Sequence, residues 1–188
     1  MFYKAKEFTL KNGIKVTLKS PEISDAQKMI DCIIDITRTT DYMNGLPEDY
    51  QVYLDDIKKE EAFLEGHNSS DNNYMIAVFY KDIIIGSCAL NFGAMIKTKH
   101  RGTIGIGIRK EYRGLGLGSI LFDEIINIAK NREGATQLEL GVIKDNIAAK
   151  RLYTSKGFVK TGETPRALRL PNGVYLDEEF MVLYLDKQ

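Results

Sequence analysis

The segment Arg113-Gly114-Leu115-Gly116-Leu117-Gly118 has the residue types and spacing to hold a phosphate. It runs directly into a stretch, Gly116 to Ala129, in which Leu117, Leu121, Ile125 and Ile128 recur at helical spacing. Ser119, Asp123, Asn127 and Lys130 take the opposite face. The first amides of such a helix lack intrahelical acceptors, and the helix dipole adds partial positive charge there. Glycine puts no Cβ between those amides and a pyrophosphate, and Arg113 can add a charge-assisted contact. A glycine-rich turn without a ligand is the plain alternative. Against it, glycines in helical conformation cost roughly 1 kcal/mol each relative to alanine. Two common phosphate binders fail on spacing. A P-loop ends in Gly-Lys-Ser/Thr, whereas this loop ends Gly118-Ser119 with no lysine. The dinucleotide fingerprint opens the first βαβ unit with GxGxxG, whereas this is GxGxG in mid-chain.

Two neighbouring segments add to the loop. Thr103-Ile104-Gly105-Ile106-Gly107-Ile108 alternates isoleucine with glycine, so one face packs apolar side chains and the other is nearly bare. Glycine weakens a strand interior, and close approach by a ligand or another backbone would account for it. Downstream come Leu138-Glu139-Leu140-Gly141-Val142, Asn146, Ala149, Leu152-Tyr153 and Gly157-Phe158. Asn146 suits a helix N-cap. Tyr153 shares a helical face with Ala149, which also fits a core aromatic. An ordinary tyrosine, with pKa about 10, is protonated at neutral pH and can donate a proton.

The elements around these segments alternate. Phe8-Thr9-Leu10 and Ile14 to Leu18, joined at Asn12-Gly13, read as a hairpin. Pro21 and Ser24 open a helix carrying Ala26, Met29, Ile30, Ile33 and Ile34, followed by a loop from Thr39 to Pro47. A second helix is expected over Asp49 to Glu65, and a polar loop over Gly66 to Asn73. Strands are expected at Tyr74 to Tyr80, Ile83 to Phe92, His100 to Ile108, Gln137 to Val142, Phe158 to Lys160 and Val174 to Leu185. A helix spans Asn146 to Lys156, and Asn172-Gly173 makes a turn. This order predicts an α/β (α+β) fold, a mixed sheet with a βαβ crossover and helices on its faces.

Composition narrows the function classes. The 188 residues suit one domain over 1–188, with 44% hydrophobic and 28% charged residues. Lysine plus arginine equals aspartate plus glutamate at 26 each, so no global field favours nucleic acid or an anionic membrane. Cys32 and Cys88 form no CxxC and no disulfide framework, and no metal is expected. Cys88 lies in an apolar run that suits a buried thiol. No signal-peptide core or membrane-spanning run is visible, so the cytoplasm is the expected compartment. The acidic set Glu48, Asp49, Asp55, Asp56, Glu60, Glu61 and Glu65 could attract a cationic amine or simply be a solvated face.

Arg113 to Gly118 resembles the arginine/glutamine-x-x-glycine-x-glycine motif of the GNAT superfamily of N-acetyltransferases. The segment from Leu138 to Phe158 resembles that superfamily's second signature. The likeness covers about Tyr74 to Leu185, and the first seventy residues match only the general layout. Asn172 through Met181 is similar to the branch that acetylates ribosomal-protein and peptide N-termini, polyamines and related amines. The resemblance implies a mostly antiparallel sheet whose central strands splay around acetyl-CoA. Ile106 and Ile108 would then offer backbone groups to the pantetheine arm, with Gly107 leaving room. The amides of Gly114, Leu115, Gly116, Leu117, Gly118 and Ser119 would hold the pyrophosphate beside Arg113. Asn146 would bond the pantetheine or acetyl end, and Tyr153 would protonate the departing thiolate. Family members often form homodimers. No base is fixed: Glu139, Glu111, His100, Asp41 or a water relay could serve. An acetyl-CoA sensor without catalysis, and a nucleotide-binding regulator using the same loop, remain as rival readings.

Overall fold

In the computed structural model, which describes residues 2–185, two strands open the chain. They are β1 (Lys6–Thr9) and β2 (Lys15–Lys19), joined by a turn in which Gly13 takes a φ of 85°. Helices α1 (Ala26–Thr37), α2 (Gln51–Asp55) and α3 (Lys58–Ser69) follow. Next come β3 (Asn73–Tyr80), β4 (Ile83–Phe92), β5 (Arg101–Ile108), α4 (Leu117–Lys130), β6 (Gln137–Ile143) and α5 (Ile147–Ser155). The strands β7 (Val159–Arg169) and β8 (Tyr175–Tyr184) complete the described chain. All eight strands join one sheet in the order β1-β2-β3-β4-β5-β6-β8-β7, antiparallel except for β5 beside β6. The expected mixed α/β fold is therefore the one formed.

Each face of the sheet has its own apolar layer. On one side α1 and α3 bring Ala26, Met29, Ile36 and Leu64 against Met75, Ala77 and Ile84. On the other, α4 and α5 bring Leu117, Leu121, Phe122, Ile125 and Tyr153 against Cys88, Leu90, Ile104, Leu138 and Leu140. Leu121 and Ile125 are wholly buried, each worth about 1.5–3 kcal/mol of apolar transfer. The buried stripe of α4 is rotated from the expected one. Phe122, Ile126 and Ala129 are buried in it, while Ile128 is only half-buried.

Three boundaries differ from the sequence reading for physical reasons. The helix expected over Asp49 to Glu65 breaks at Asp56, whose backbone leaves the helical region at φ −143°, ψ 87°. The loop expected from Gly66 begins late because α3 continues to Ser69. Its last turns are held by buried Leu64 and His67 and by a bond from Asn68 Nδ2 to the Pro21 carbonyl, 2.9 Å. The short strand expected at Phe158 to Lys160 is instead the long edge strand β7. Its residues are mostly exposed, so no buried alternation marks it, and Pro165 sits within it where an edge strand tolerates a missing donor.

The sheet is interrupted between β5 and β6. Their parallel pairing covers only Arg101↔Gln137, Gly102↔Leu138 and Thr103↔Glu139. Beyond it, β5 pairs with β4 alone to Ile108, and β6 pairs with β8 alone to Ile143. Each strand is anchored to its outer neighbour. The Arg109 amide donates to the Ile85 carbonyl (2.9 Å), Arg109 Nε to the Ile84 carbonyl (2.8 Å), and its guanidinium pairs with Asp35 of α1. On the far side the Lys144 amide donates to the Asp177 carbonyl (2.9 Å). The upper halves of β5 and β6 are thus held apart as a wedge-shaped gap.

Candidate acyl-transfer site

Backbone alternation decides which groups of β5 face the gap. The His100 carbonyl accepts from Thr136, on the β6 side, whereas the Arg109 amide turns to β4. With period two, Ile104, Ile106 and Ile108 turn their backbone groups toward the gap, and Gly105 and Gly107 turn theirs toward β4. The N–H and C=O of Ile106 and the N–H of Ile108 are left free of strand partners. The Ile108 carbonyl is not free, because Arg113 Nε donates to it at 2.8 Å.

The glycine loop caps the same end of the gap. Gly114 and Gly116 have φ values of 76° and 89°, a left-handed backbone that side chains disfavour. Gly118 is helical, and its reason is contact: a Cβ there would stand 2.9 Å from Leu152 Cδ2 of α5. Among the described residues no acceptor meets the amides of Gly114, Leu115, Gly116, Leu117, Gly118 or Ser119. The loop is steadied instead through its carbonyl side, where the Lys11 amide donates to the Leu115 carbonyl at 3.1 Å. This row of free donors at the start of a fourteen-residue helix is an anion cradle.

Tyr153 stands beneath the gap. It is 7% exposed, with its ring 5.0 Å from that of Phe122 and 6.2 Å from that of Phe158. It lies beside Cys88, whose strand partner is Ile106. No described residue hydrogen-bonds its hydroxyl, yet the hydroxyl is not sealed. The sealed unpartnered side-chain polar atom among the described residues is His67 Nε2. Burial, reinforced by the Cys88 sulfur, pushes the Tyr153 phenol well above its ordinary value of 10, so it stays protonated. Asn146 caps α5, its Oδ1 accepting from the Ala149 amide at 3.2 Å, which leaves its Nδ2 hydrogens available.

The acetyltransferase (GNAT) family model matches residues 36–158. The chain belongs to the GNAT family of acetyltransferases. An L-amino acid N-acetyltransferase of Escherichia coli strain K12 is 28% identical over 98 residues, which are 52% of this chain and 60% of that protein. A GNAT acetyltransferase of Streptococcus pneumoniae superposes with a TM-score of 0.81 at 26% identity, over 90% of this chain and 99% of that one. A putative acetyltransferase of Salmonella typhimurium, solved with its cofactor acetyl-CoA, superposes at 0.75 and 20% identity, over 92% and 95% of the two chains.

Within this GNAT protein the residues singled out in the sequence divide into three groups. Ile106, Ile108, Gly114 to Ser119, Asn146 and Tyr153 converge on the open end of the gap. Arg113 sits there too, but its guanidinium is already committed to the Ile108 carbonyl and, at 3.2 Å, to Thr39 Oγ1. Gly107 makes room for α1, since a Cβ there would stand 3.0 Å from Ile36 Cδ1, while nothing lies within 4 Å of a Cβ on Gly105. The candidate bases scatter. Glu139 is engaged by Arg101 Nη2 at 2.7 Å and by Gln137, and His100 lies at the closed end of the gap. Glu111 and Asp41 are exposed near the open end. The acidic set on α2 and α3 is mostly solvated, but burial lifts Glu60 from 4.5 to about 7.

Two contacts at the site carry no sequence signal. The Lys11 side chain lies along the loop, its methylenes 3.5–3.8 Å from the Cβ position of Gly116. Tyr42, in the loop after α1, reaches across to donate to the Asp145 carbonyl at 3.4 Å and so bridges the open end. Both are long-range pairings that only the folded sheet creates. Among the described residues, no group of three or more His, Cys, Asp or Glu is placed to hold a metal ion. No helix among them is long and apolar enough to cross a membrane.

Proposed function

We propose that this protein transfers the acetyl group of acetyl-CoA to a primary amine, with both substrates bound at once. The observation that carries the reading is the pairing of two features at one place: a strand gap with unclaimed backbone groups, and a row of unclaimed helix-start amides at its open end. A pyrophosphate suits the amides of Gly114 to Ser119, and the Lys11 ammonium adds positive charge nearby. An extended pantetheine arm suits the gap, where the Ile106 N–H and C=O and the Ile108 N–H supply the bonds a neighbouring strand would make. Asn146 Nδ2 is available to the amide or carbonyl groups at the arm's reactive end.

The amine must shed a proton before attack, since a lysine-like amine has a pKa of about 10.4. Its nitrogen then adds to the thioester carbonyl carbon, and the carbon–sulfur bond breaks. The sulfur leaves as a thiolate and takes its proton from Tyr153, which is kept protonated by burial, while the nitrogen gives up its extra proton to solvent and solvent restores the phenol. A phenol without a competing hydrogen bond is free to turn to that sulfur.

Isothermal titration with acetyl-CoA, CoA and ATP, followed by a screen of amine acceptors with thiol release as the readout, tests the reading. Acetyl-CoA and CoA are expected to bind, with at least one amine acetylated. Binding of ATP in place of acetyl-CoA would favour a nucleotide regulator. Acetyl-CoA binding with no acetylation of any amine would favour a sensor.

A further inference from the structure

We infer that Glu178 binds the acceptor's ammonium group, and that the site therefore favours amines lacking an adjacent carboxylate, such as peptide N-termini and amino-acid amides, over free amino acids. This rests on the acetyl-transfer reading of the gap. Glu178 sits on β8, where its register partner is Ile143. Its side chain leans across β6 instead of lying over its own partner. A Cβ on Gly141 would collide with its carboxylate, standing 2.9 Å from Cδ. Gly141 lies beyond the last β5–β6 pair, Thr103↔Glu139, so it edges the gap. The missing side chain at Gly141 is what lets the carboxylate reach from β8 toward the open edge of β6.

The charge around it is lopsided. Glu178 is half-buried and makes no ion pair or hydrogen bond with the described residues. Its neighbours all do. Asp177 faces Lys144 at 3.4 Å, and Glu179 holds Lys150 and Lys160 at 2.9 and 3.0 Å. Glu139 holds Arg101. The arginines near the gap are likewise occupied: Arg109 by Asp35 and the Ile84 carbonyl, Arg113 by the Ile108 carbonyl and Thr39. Among the carboxylates of β6 and β8 beside the gap, Glu178 is thus the one that the described residues leave uncompensated for an incoming ammonium. A carboxylate on the same substrate meets that like charge and no free guanidinium.

Matched pairs test this directly: L-alanine, L-methionine and L-phenylalanine, each against its primary amide. kcat/KM is measured for wild type, Glu178→Gln and Gly141→Ala, and acetyl-CoA affinity is titrated in parallel. Dividing the amide-to-acid preference of wild type by that of the variant removes the intrinsic reactivity of each amine. That quotient is expected to be about tenfold or more, the size of one like-charge contact at a partly solvated site. Gly141→Ala is expected to act in the same direction by displacing the carboxylate, and neither substitution should alter acetyl-CoA affinity. A quotient near one, a wild-type preference for the free acids, or no reaction with any amide by enzyme that binds acetyl-CoA would overturn the inference. Wild type that fails to bind acetyl-CoA would bring down the transfer reading itself.

Discussion

Replacing Tyr153 with phenylalanine separates its structural role from its chemical one. The ring contributes packing: it touches Phe122 and Phe158 inside the layer built by α4 and α5, and phenylalanine keeps that surface. The hydroxyl contributes no hydrogen bond to the fold, so its removal leaves no orphaned partner. The stability change should therefore be under about 1 kcal/mol, against the 1–3 kcal/mol expected when a buried partner is stranded. Proton donation is another matter. A positioned general acid contributes about 100- to 10,000-fold, so kcat should fall by at least about two orders of magnitude. Thiol release under saturating acetyl-CoA, thermal unfolding and acetyl-CoA titration together make the assay. The expected pattern is lost turnover with an unchanged melting temperature and unchanged cofactor affinity. Turnover within about twofold of wild type would refute the assignment, because no proton donor worth that little is needed.

Four further outcomes follow from the geometry. Gly116→Ala should cost about 1 kcal/mol of stability, because its φ of 89° is left-handed, and should weaken acetyl-CoA binding by turning the loop amides; calorimetry reads both. Gly118→Val should lower the melting temperature by an overpacking cost of about 1–3 kcal/mol, since Leu152 must move. Lys11→Ala should weaken acetyl-CoA binding severalfold, and the deficit should shrink as salt is raised. Glu60, lifted to about 7 by burial, favours its protonated form in the folded state. Its contribution is full below about pH 4.5 and is lost as pH rises through about 7, so Glu60→Gln should gain up to about 1 kcal/mol on wild type between pH 4 and pH 8 in denaturant titrations, a value reduced for partial exposure.

The geometry of the proposed cofactor end is legible in the sequence because its determinants are local. Left-handed glycines, a helix start and an N-capping asparagine each act over a few residues, and all appear at Arg113 to Ser119 and at Asn146. The hairpin at Asn12-Gly13 and the turn at Asn172-Gly173 are legible for the same reason, with Gly173 at a φ of 87°. Other contacts around the gap are not local. Glu178 meets Gly141 on another strand, Lys11 lies along a loop about a hundred residues away, and Tyr42 bonds the Asp145 carbonyl. The bare glycine strand carried a mixed message. Gly105 faces open space, whereas Gly107 yields to Ile36 of α1, a packing reason that alternation alone cannot distinguish from a ligand. The start of the edge strand β7 is legible at Phe158 to Lys160, but its extension to Arg169 is not, because the period-two signal requires a buried face.

The central claim is that the amides of Gly114 to Ser119 hold the cofactor's pyrophosphate. Amide-resolved NMR of the full chain, titrated with acetyl-CoA and separately with ATP, examines those donors one by one. Saturating acetyl-CoA is expected to shift the Gly114, Gly116, Gly118 and Ser119 amide protons downfield together, as new hydrogen bonds form, and the Ile106 and Ile108 amides are expected to move with them. Loop amides that stay unmoved while acetyl-CoA binds elsewhere, or that respond to ATP alone, would contradict it.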